Sequence, residues 1–178
     1  HGLIHRDLKP GNVMLTAAQG RLPERLAERG WSLKLMDFGL ARGHDASAPL
    51  TSSGDLLGTV NYMAPEQAQG QPLDARADLY AMGVILYELA TGRLPFTGDS
   101  PVAVLLGHIQ TAPIPPAAFQ ADLSPAFVEL VMRLLAKRPA DRPATADDVL
   151  AVVQQIGEHP VGAARPATAA LHRADLVL

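Results

Sequence analysis

The chain has 178 residues, no cysteine and a formal net charge of −3. That length suits one ordinary domain, and with 48% hydrophobic residues to fill a core the chain is not a disordered one; the absent cysteines exclude disulfides, thiolate metal sites and thiol catalysis. The mild acidity gives no reason to expect nucleic acid or an anionic membrane as partner. No run approaches the ~18 consecutive apolar residues of a membrane span and no signal peptide opens the chain, so a cytoplasmic protein is expected. The first residue is His rather than Met, and the chain is expected to be a clipped piece.

His1 to Arg6 is expected to hold the last of a helix and a short strand, leading into a loop broken by Pro10 and Gly11. In that loop Asp7 and Asn12, with Asp37 further along, offer two carboxylates and an amide oxygen. Hard divalent cations such as magnesium take such oxygens, usually one or two carboxylates together with phosphate oxygens and water. Lys9 adds the positive charge that a transferring phosphoryl group needs. A free Asp, with a pKa of about 3.9, is a poor base in water. Phosphoryl transfer, however, depends mostly on positioning and charge stabilisation, so an Asp that orients a hydroxyl and accepts its proton late is sufficient. Each of these residues alone would be an ordinary turn residue.

Val13-Met14-Leu15 and Leu33-Lys34-Leu35-Met36 read as two paired strands flanking Asn12 and Asp37. Between them, Thr16 to Ser32 reads as a surface insertion with an exposed helical turn or two around Pro23 to Arg29, of the kind loops tolerate at little cost. Gly43 to Gly58 is rich in Ser, Thr, Asp, Gly and Ala and reads as a loop carrying Thr51, Ser52 and Ser53. Asp74 to Thr91 is the strongest helical pattern: Leu79, Met82, Val84, Ile85, Leu86 and Leu89 surround it as in a helix buried on nearly all sides, and Gly92 stops it. Asp78 lies inside that run, where an unpaired carboxylate would be costly. Ser100-Pro101 opens a helix to about Gln110, and Ser124-Pro125 repeats the device ahead of the stripe Phe127, Val128, Leu130, Val131, Leu134 and Leu135. A Pro-rich joint, Thr111 to Ala118, separates the two. Thr145 with Asp148 resembles a capping box, starting a helix to about Ile156. After Gly157 the composition turns to Pro, Ala, His and Arg, a linker or the start of a truncated region. His44, His108, His159 and His172 stand singly and need no ligand role.

His5-Arg6-Asp7-Leu8-Lys9-Pro10-Gly11-Asn12, then Asp37-Phe38-Gly39, then Ala64-Pro65-Glu66 occur in this order, matching the ordered signature of protein kinases. Over about residues 1 to 156 the chain resembles the C-terminal lobe of a Hanks-type serine/threonine protein kinase of bacterial flavour. The resemblance implies a mainly α lobe with short β-hairpins carrying the catalytic loop, residues 157–178 lying outside it, and phosphoryl transfer from ATP to Ser or Thr of protein substrates with Mg2+ or Mn2+. It implies Asp7 as catalytic base, Lys9 on the transferring phosphate, and Asn12 and Asp37 as metal ligands. Thr59 is implied to bond Asp7 and Lys9, and Lys9 and Thr59 favour a Ser/Thr acceptor. His5 is implied to pack beneath Phe38, Asp78 to accept backbone N–H groups around His5 and Arg6, and Glu66 to pair with Arg142. Arg6 would receive a regulatory phosphate on Thr51, Ser52 or Ser53, a charge-assisted contact that orders a loop.

A complete kinase also carries upstream a Gly-rich loop, a strand Lys and a helix Glu, required together for activity, and none of these is expected in this chain. The missing N-terminal lobe is thus an expected partner, the isolated chain is expected to be nearly inactive, and an exposed apolar patch is expected around Phe38 and Leu40. Two rivals are a non-catalytic pseudokinase or interaction module, disfavoured by retention of Asp7, Lys9, Asn12 and Asp37, and a small-molecule phosphotransferase, disfavoured by the Gly58 to Glu66 segment.

Overall fold

A computed structural model of the chain describes residues 3–17, 31–37 and 59–158. The Pro23 to Arg29 insertion, Phe38, Leu40, Thr51, Ser52, Ser53 and the 159–178 tail lie outside the described residues.

Pro10 and Gly11 turn the chain through a single 3-10 turn, Pro10–Asn12, into a two-stranded antiparallel hairpin of β1 (Val13–Ala17) and β2 (Trp31–Leu35). Val13 pairs with Leu35 and Thr16 with Ser32. Both strands therefore reach further from the loop than the sequence reading has them, because β-branched Thr16 and aromatic Trp31 fit a pleated strand, and the Thr16 hydroxyl donates to the Ser32 carbonyl at 3.2 Å. Leu3 to Arg6 forms no strand, against expectation. The backbone N–H groups of His5 and Arg6 go to a carboxylate, not to a neighbouring strand.

The remainder is helical: α1 (Pro65–Ala68), α2 (Arg76–Thr91), α3 (Pro101–Gln110), α4 (Pro125–Leu134) and α5 (Ala146–Glu158). Their starts obey capping chemistry. Ser100 and Ser124 accept the backbone N–H three residues on, each at 3.2 Å, satisfying a donor that a helix start leaves orphaned. Thr145 and Asp148 bond reciprocally, the Asp148 amide to the Thr145 hydroxyl and the Thr145 amide to the Asp148 carboxylate. Helix α2 begins at Arg76 rather than Asp74, since Asp74 turns its carboxylate to the Arg76 amide at 2.8 Å. Gly92 closes it in the left-handed region, φ 68°.

The core lies where α2 packs on α4 and α4 on α5. Tyr80, Val84 and Tyr87 of α2 meet Val131 and Leu135, while Leu79 meets Leu130, Leu134 and Val149. Gly83 sets the α2–α4 separation: a Cβ there would lie 2.6 Å from the Leu134 Cβ, too close for any side chain to rotate away. The expectation that α2 is buried on nearly all sides holds only for part of its circumference. Tyr80, Val84 and Tyr87 are buried, whereas Met82, Ile85 and Leu86 are half-buried and Leu89 is 75% exposed.

Candidate active site

The loop holding Asp7 is built on strained backbone. Among the described residues, only Arg6 (φ 67°) and Asp37 (φ 53°) are non-glycine residues at positive φ, a conformation that costs about 1–3 kcal/mol and persists only when its surroundings enforce it. At Arg6 the enforcement is visible. Asp78, from the buried run of α2, accepts the His5 amide at 2.7 Å and the Arg6 amide at 2.9 Å, one on each oxygen. Gln67 of α1 donates its side-chain amide to the Arg6 carbonyl at 2.7 Å. His5 is buried, and its Nε2 lies 2.8 Å from the Met36 carbonyl. Since that carbonyl only accepts, Nε2 carries the proton. The imidazole thus ties the loop holding Asp7 to the residue preceding Asp37.

Four side chains meet above this base. Lys9 Nζ lies 3.1 Å from Asp7 Oδ2 and donates to the Thr59 hydroxyl at 3.0 Å. Asn12 donates from Nδ2 to the Asp7 carbonyl at 2.7 Å and to Asp7 Oδ2 at 3.2 Å. Asp7 and Lys9 stay 28% and 24% exposed, open enough to meet a ligand. Asp37 is placed at the same end of the hairpin, because the Met36 amide donates to the Asn12 carbonyl at 2.9 Å. Its side chain is exposed. With Nδ2 committed to Asp7, Oδ1 is the Asn12 atom able to ligate a cation, and Asp37 supplies a carboxylate nearby. This donor set fits magnesium, which keeps waters and takes one or two protein oxygens plus substrate phosphate. No cluster of three or more His, Cys, Asp or Glu side chains suited to a metal occurs among the described residues, so a cation here would be shared with a phosphate.

A shallow cleft runs from Asp7 between Arg6, Thr59, Tyr62, Met63 and Gln67. Its far wall, Thr59 to Glu66, is anchored at three points. Thr59 is buried and bonded to Lys9. Tyr62 donates to Glu88 at 2.6 Å, and burial, then Glu88, push its hydroxyl pKa well up, so it stays a donor. Glu66 meets Arg142 in a bidentate pair at 2.6 and 2.8 Å. The other Arg142 donors reach the carbonyls of Ala136, Arg76 and Lys137, so all five N–H groups of this buried guanidinium are satisfied. Of the residues singled out from sequence, the structure brings Asp7, Lys9, Asn12 and Thr59 together, and sets His5, Asp78, Glu66 and Arg142 beneath and beside them.

Sequence reasoning missed Gln67, the Tyr62–Glu88 bond and His108. Gln67 and Glu88 are polar residues in ordinary helical positions and Tyr62 sits in a turn, without a spacing that marks them. His108 is fully buried, its Nδ1 2.9 Å from the Tyr80 hydroxyl. Burial, then Lys137, lower its pKa from 6.5 to about 4. Folding thus disfavours the charged imidazole, so between pH 6.5 and 4 the unfolded chain binds more protons. The stability that neutral His108 contributes is full above 6.5 and is lost as pH falls towards 4. Urea unfolding over this range should lose about 3 kcal/mol to this group, a loss that His108→Asn removes.

An anchored Asp–Lys–Asn cluster, with Asp37 at the same end of the hairpin, opens onto a cleft walled by a clamped segment. The sequence model for the family described as "Protein kinase domain" matches residues 1–161, and the chain belongs to that family. Bacterial proteins are among its relatives. It is 42% identical over 165 residues to "Probable serine/threonine-protein kinase PknB" of Corynebacterium glutamicum, covering 90% of this chain and 24% of that protein. It is 40% identical over 159 residues to "Serine/threonine-protein kinase PknB" of Mycolicibacterium smegmatis, covering 89% and 24%. It is 41% identical over 163 residues to the protein of that name in Mycobacterium tuberculosis, covering 90% and 24%. The chain thus spans about a quarter of the length of these relatives. Protein kinases in general use ATP and a divalent cation.

Proposed function

We propose that this chain is the C-terminal lobe of a kinase that transfers the γ-phosphoryl group of ATP to Ser or Thr hydroxyls of protein substrates. The observation that carries the reading is Lys9 bridging Asp7 and Thr59 at 3.1 and 3.0 Å, which joins a proton acceptor, a cation and the acceptor-facing segment at one point. Asp7 orients the incoming hydroxyl and takes its proton as the oxygen bonds to the γ-phosphorus and the bond to the β-phosphate bridging oxygen breaks. Lys9 neutralises charge on the group in transit, and Thr59 holds Lys9 towards the acceptor. Asn12 Oδ1 and the Asp37 carboxylate would hold Mg2+ or Mn2+, whose role is to neutralise the β- and γ-phosphates.

The domain assignment is residues 1–156 as catalytic lobe and 157–178 as a linker or the start of a truncated region, the last helix running on to Glu158. The partner is the ATP-gripping N-terminal lobe. Apolar side chains on the hairpin, Leu15, Leu33 and Leu35 among them, lie exposed and suit a surface made to be covered. Arg6 is exposed and available to a phosphate on Thr51, Ser52 or Ser53, which would switch the enzyme. No helix among the described residues is long and apolar enough to cross a membrane, and the catalytic lobe is assigned to the cytoplasm, where ATP is. Labelled γ-phosphate from ATP should appear on phosphoserine or phosphothreonine of a protein substrate with the full-length kinase, and only at trace level with this chain alone. Label on phosphotyrosine or on a sugar overturns the acceptor class, and efficient transfer by the isolated chain overturns the dependence on the second lobe.

A further inference from the structure

His108 belongs to α3, yet it is 0% exposed. Groups from four other parts of the chain enclose it. The Tyr80 hydroxyl of α2 lies 2.9 Å from Nδ1. The Phe96 ring meets it edge-on, centroids 4.8 Å apart. Lys137, beyond α4, rests 4.0 Å over the Phe96 ring and donates to the carbonyls of Gly107 and His108 at 3.1 and 2.6 Å. The Asn61 backbone, inside the acceptor-facing segment, also lies against the imidazole, although Nε2 reaches no partner of good hydrogen-bond geometry among the described residues. The charges around the ring are Lys137 directly and, across Tyr80, Arg142 at 4.8 Å from that ring with its partner Glu66 on α1. Helix α1 packs on α3. Lys137 stays charged at neutral pH, although burial and then Arg142 lower it to about 8.

Burial raises the Tyr80 hydroxyl far above its usual range, so it stays a neutral phenol, bonded to Nδ1 at 2.9 Å as donor or acceptor according to the ring tautomer. A charged ring would place a cation beside Lys137 with no carboxylate in contact among the described residues. The neutral ring is therefore a fixed link between α3 and Tyr80. Tyr80 in turn is the platform on which Arg142 lies while it grips Glu66 at the end of the acceptor-facing segment.

We propose that neutral His108 is a positioning residue for the Thr59–Glu66 segment, fixing through Tyr80, Arg142 and the Asn61 backbone where the phosphate-accepting peptide is held. It touches neither peptide nor phosphate and acts through those partners. The proposal rests on reading the segment as the acceptor surface, so one arm of its test is independent of activity.

The test uses the full-length kinase with His108→Ala, His108→Asn, whose side-chain amide can keep a hydrogen bond to the Tyr80 hydroxyl, and Tyr80→Phe. By hydrogen-exchange mass spectrometry, amides of residues 59–66 should exchange at least tenfold faster in His108→Ala and return to near the wild-type rate in His108→Asn. In kinetics, KM for a Ser/Thr peptide should rise fivefold or more in His108→Ala and Tyr80→Phe, with KM for ATP and kcat at saturating peptide within twofold of wild type. A merely structural role predicts the opposite split, a lower kcat from fewer folded molecules and an unchanged peptide KM, and that result overturns the proposal. Unchanged exchange at residues 59–66 overturns it whatever the activity. Should His108→Ala fail to fold, Tyr80→Phe decides on both readouts. A wild-type enzyme that phosphorylates no peptide sinks the proposed function and leaves the exchange arm to judge His108.

Discussion

Replacing Arg142 by alanine is expected to cost about 3–5 kcal/mol, the loss typical of breaking a buried ion pair from one side. The guanidinium side chain is 0% exposed and the Glu66 side chain 3% exposed, so neither charge can fall back on water. The variant would strand the Glu66 carboxylate and the carbonyls of Ala136, Arg76 and Lys137 together. An exposed pair of the same residues would contribute only about 0–1 kcal/mol, so urea unfolding separates the two situations cleanly. Glu66→Ala should cost a similar amount, and the double variant should cost less than the two single losses added, because each single change leaves the other charge buried. Unaltered thermal stability of Arg142→Ala would contradict this account of the clamp.

Replacing Asp7 by asparagine should leave the fold intact and abolish most of the chemistry. Asp7 is 28% exposed and its ion pair with Lys9 is correspondingly weak, so the melting temperature of the full-length kinase should hardly move. An amide cannot take the acceptor proton, and kcat should fall by about 10²–10⁴, the span usual for a positioned general base. KM for ATP should change little, since Asn12 and Asp37 remain. A variant with near wild-type kcat would remove Asp7 from the proton path.

Much of this was legible in the chain itself, and the failures have physical causes. The signature residues are readable because Asp7, Lys9 and Asn12 fall within one short loop whose Pro10 and Gly11 fix the turn. The helices announced themselves at their starts, where Ser100, Ser124 and Thr145 each accept the amide three residues on. Burial was less legible. The apolar pattern of α2 has no means of marking that Leu89 is exposed while Val84 and Tyr87 are buried. A one-turn helix such as α1 is set by Pro65 and by its neighbours, with too few residues to display a period. Gln67 and His108 act through contacts made across the sequence to Arg6 and Tyr80, and nothing local distinguishes them from surface residues. The strain at Arg6 is likewise invisible in sequence, because it is imposed by Asp78 and Gln67 from other elements.

The most direct measurement is a crystal structure of the full-length kinase with Mn2+ and a non-hydrolysable ATP analogue, the cation located by its anomalous signal. A cation bound at once to the terminal phosphates, to Asn12 Oδ1 and to the Asp37 carboxylate, with Asp7 and Lys9 facing the γ-phosphate, is the predicted result. A nucleotide-bound cation that touches neither Asn12 nor Asp37 would contradict it.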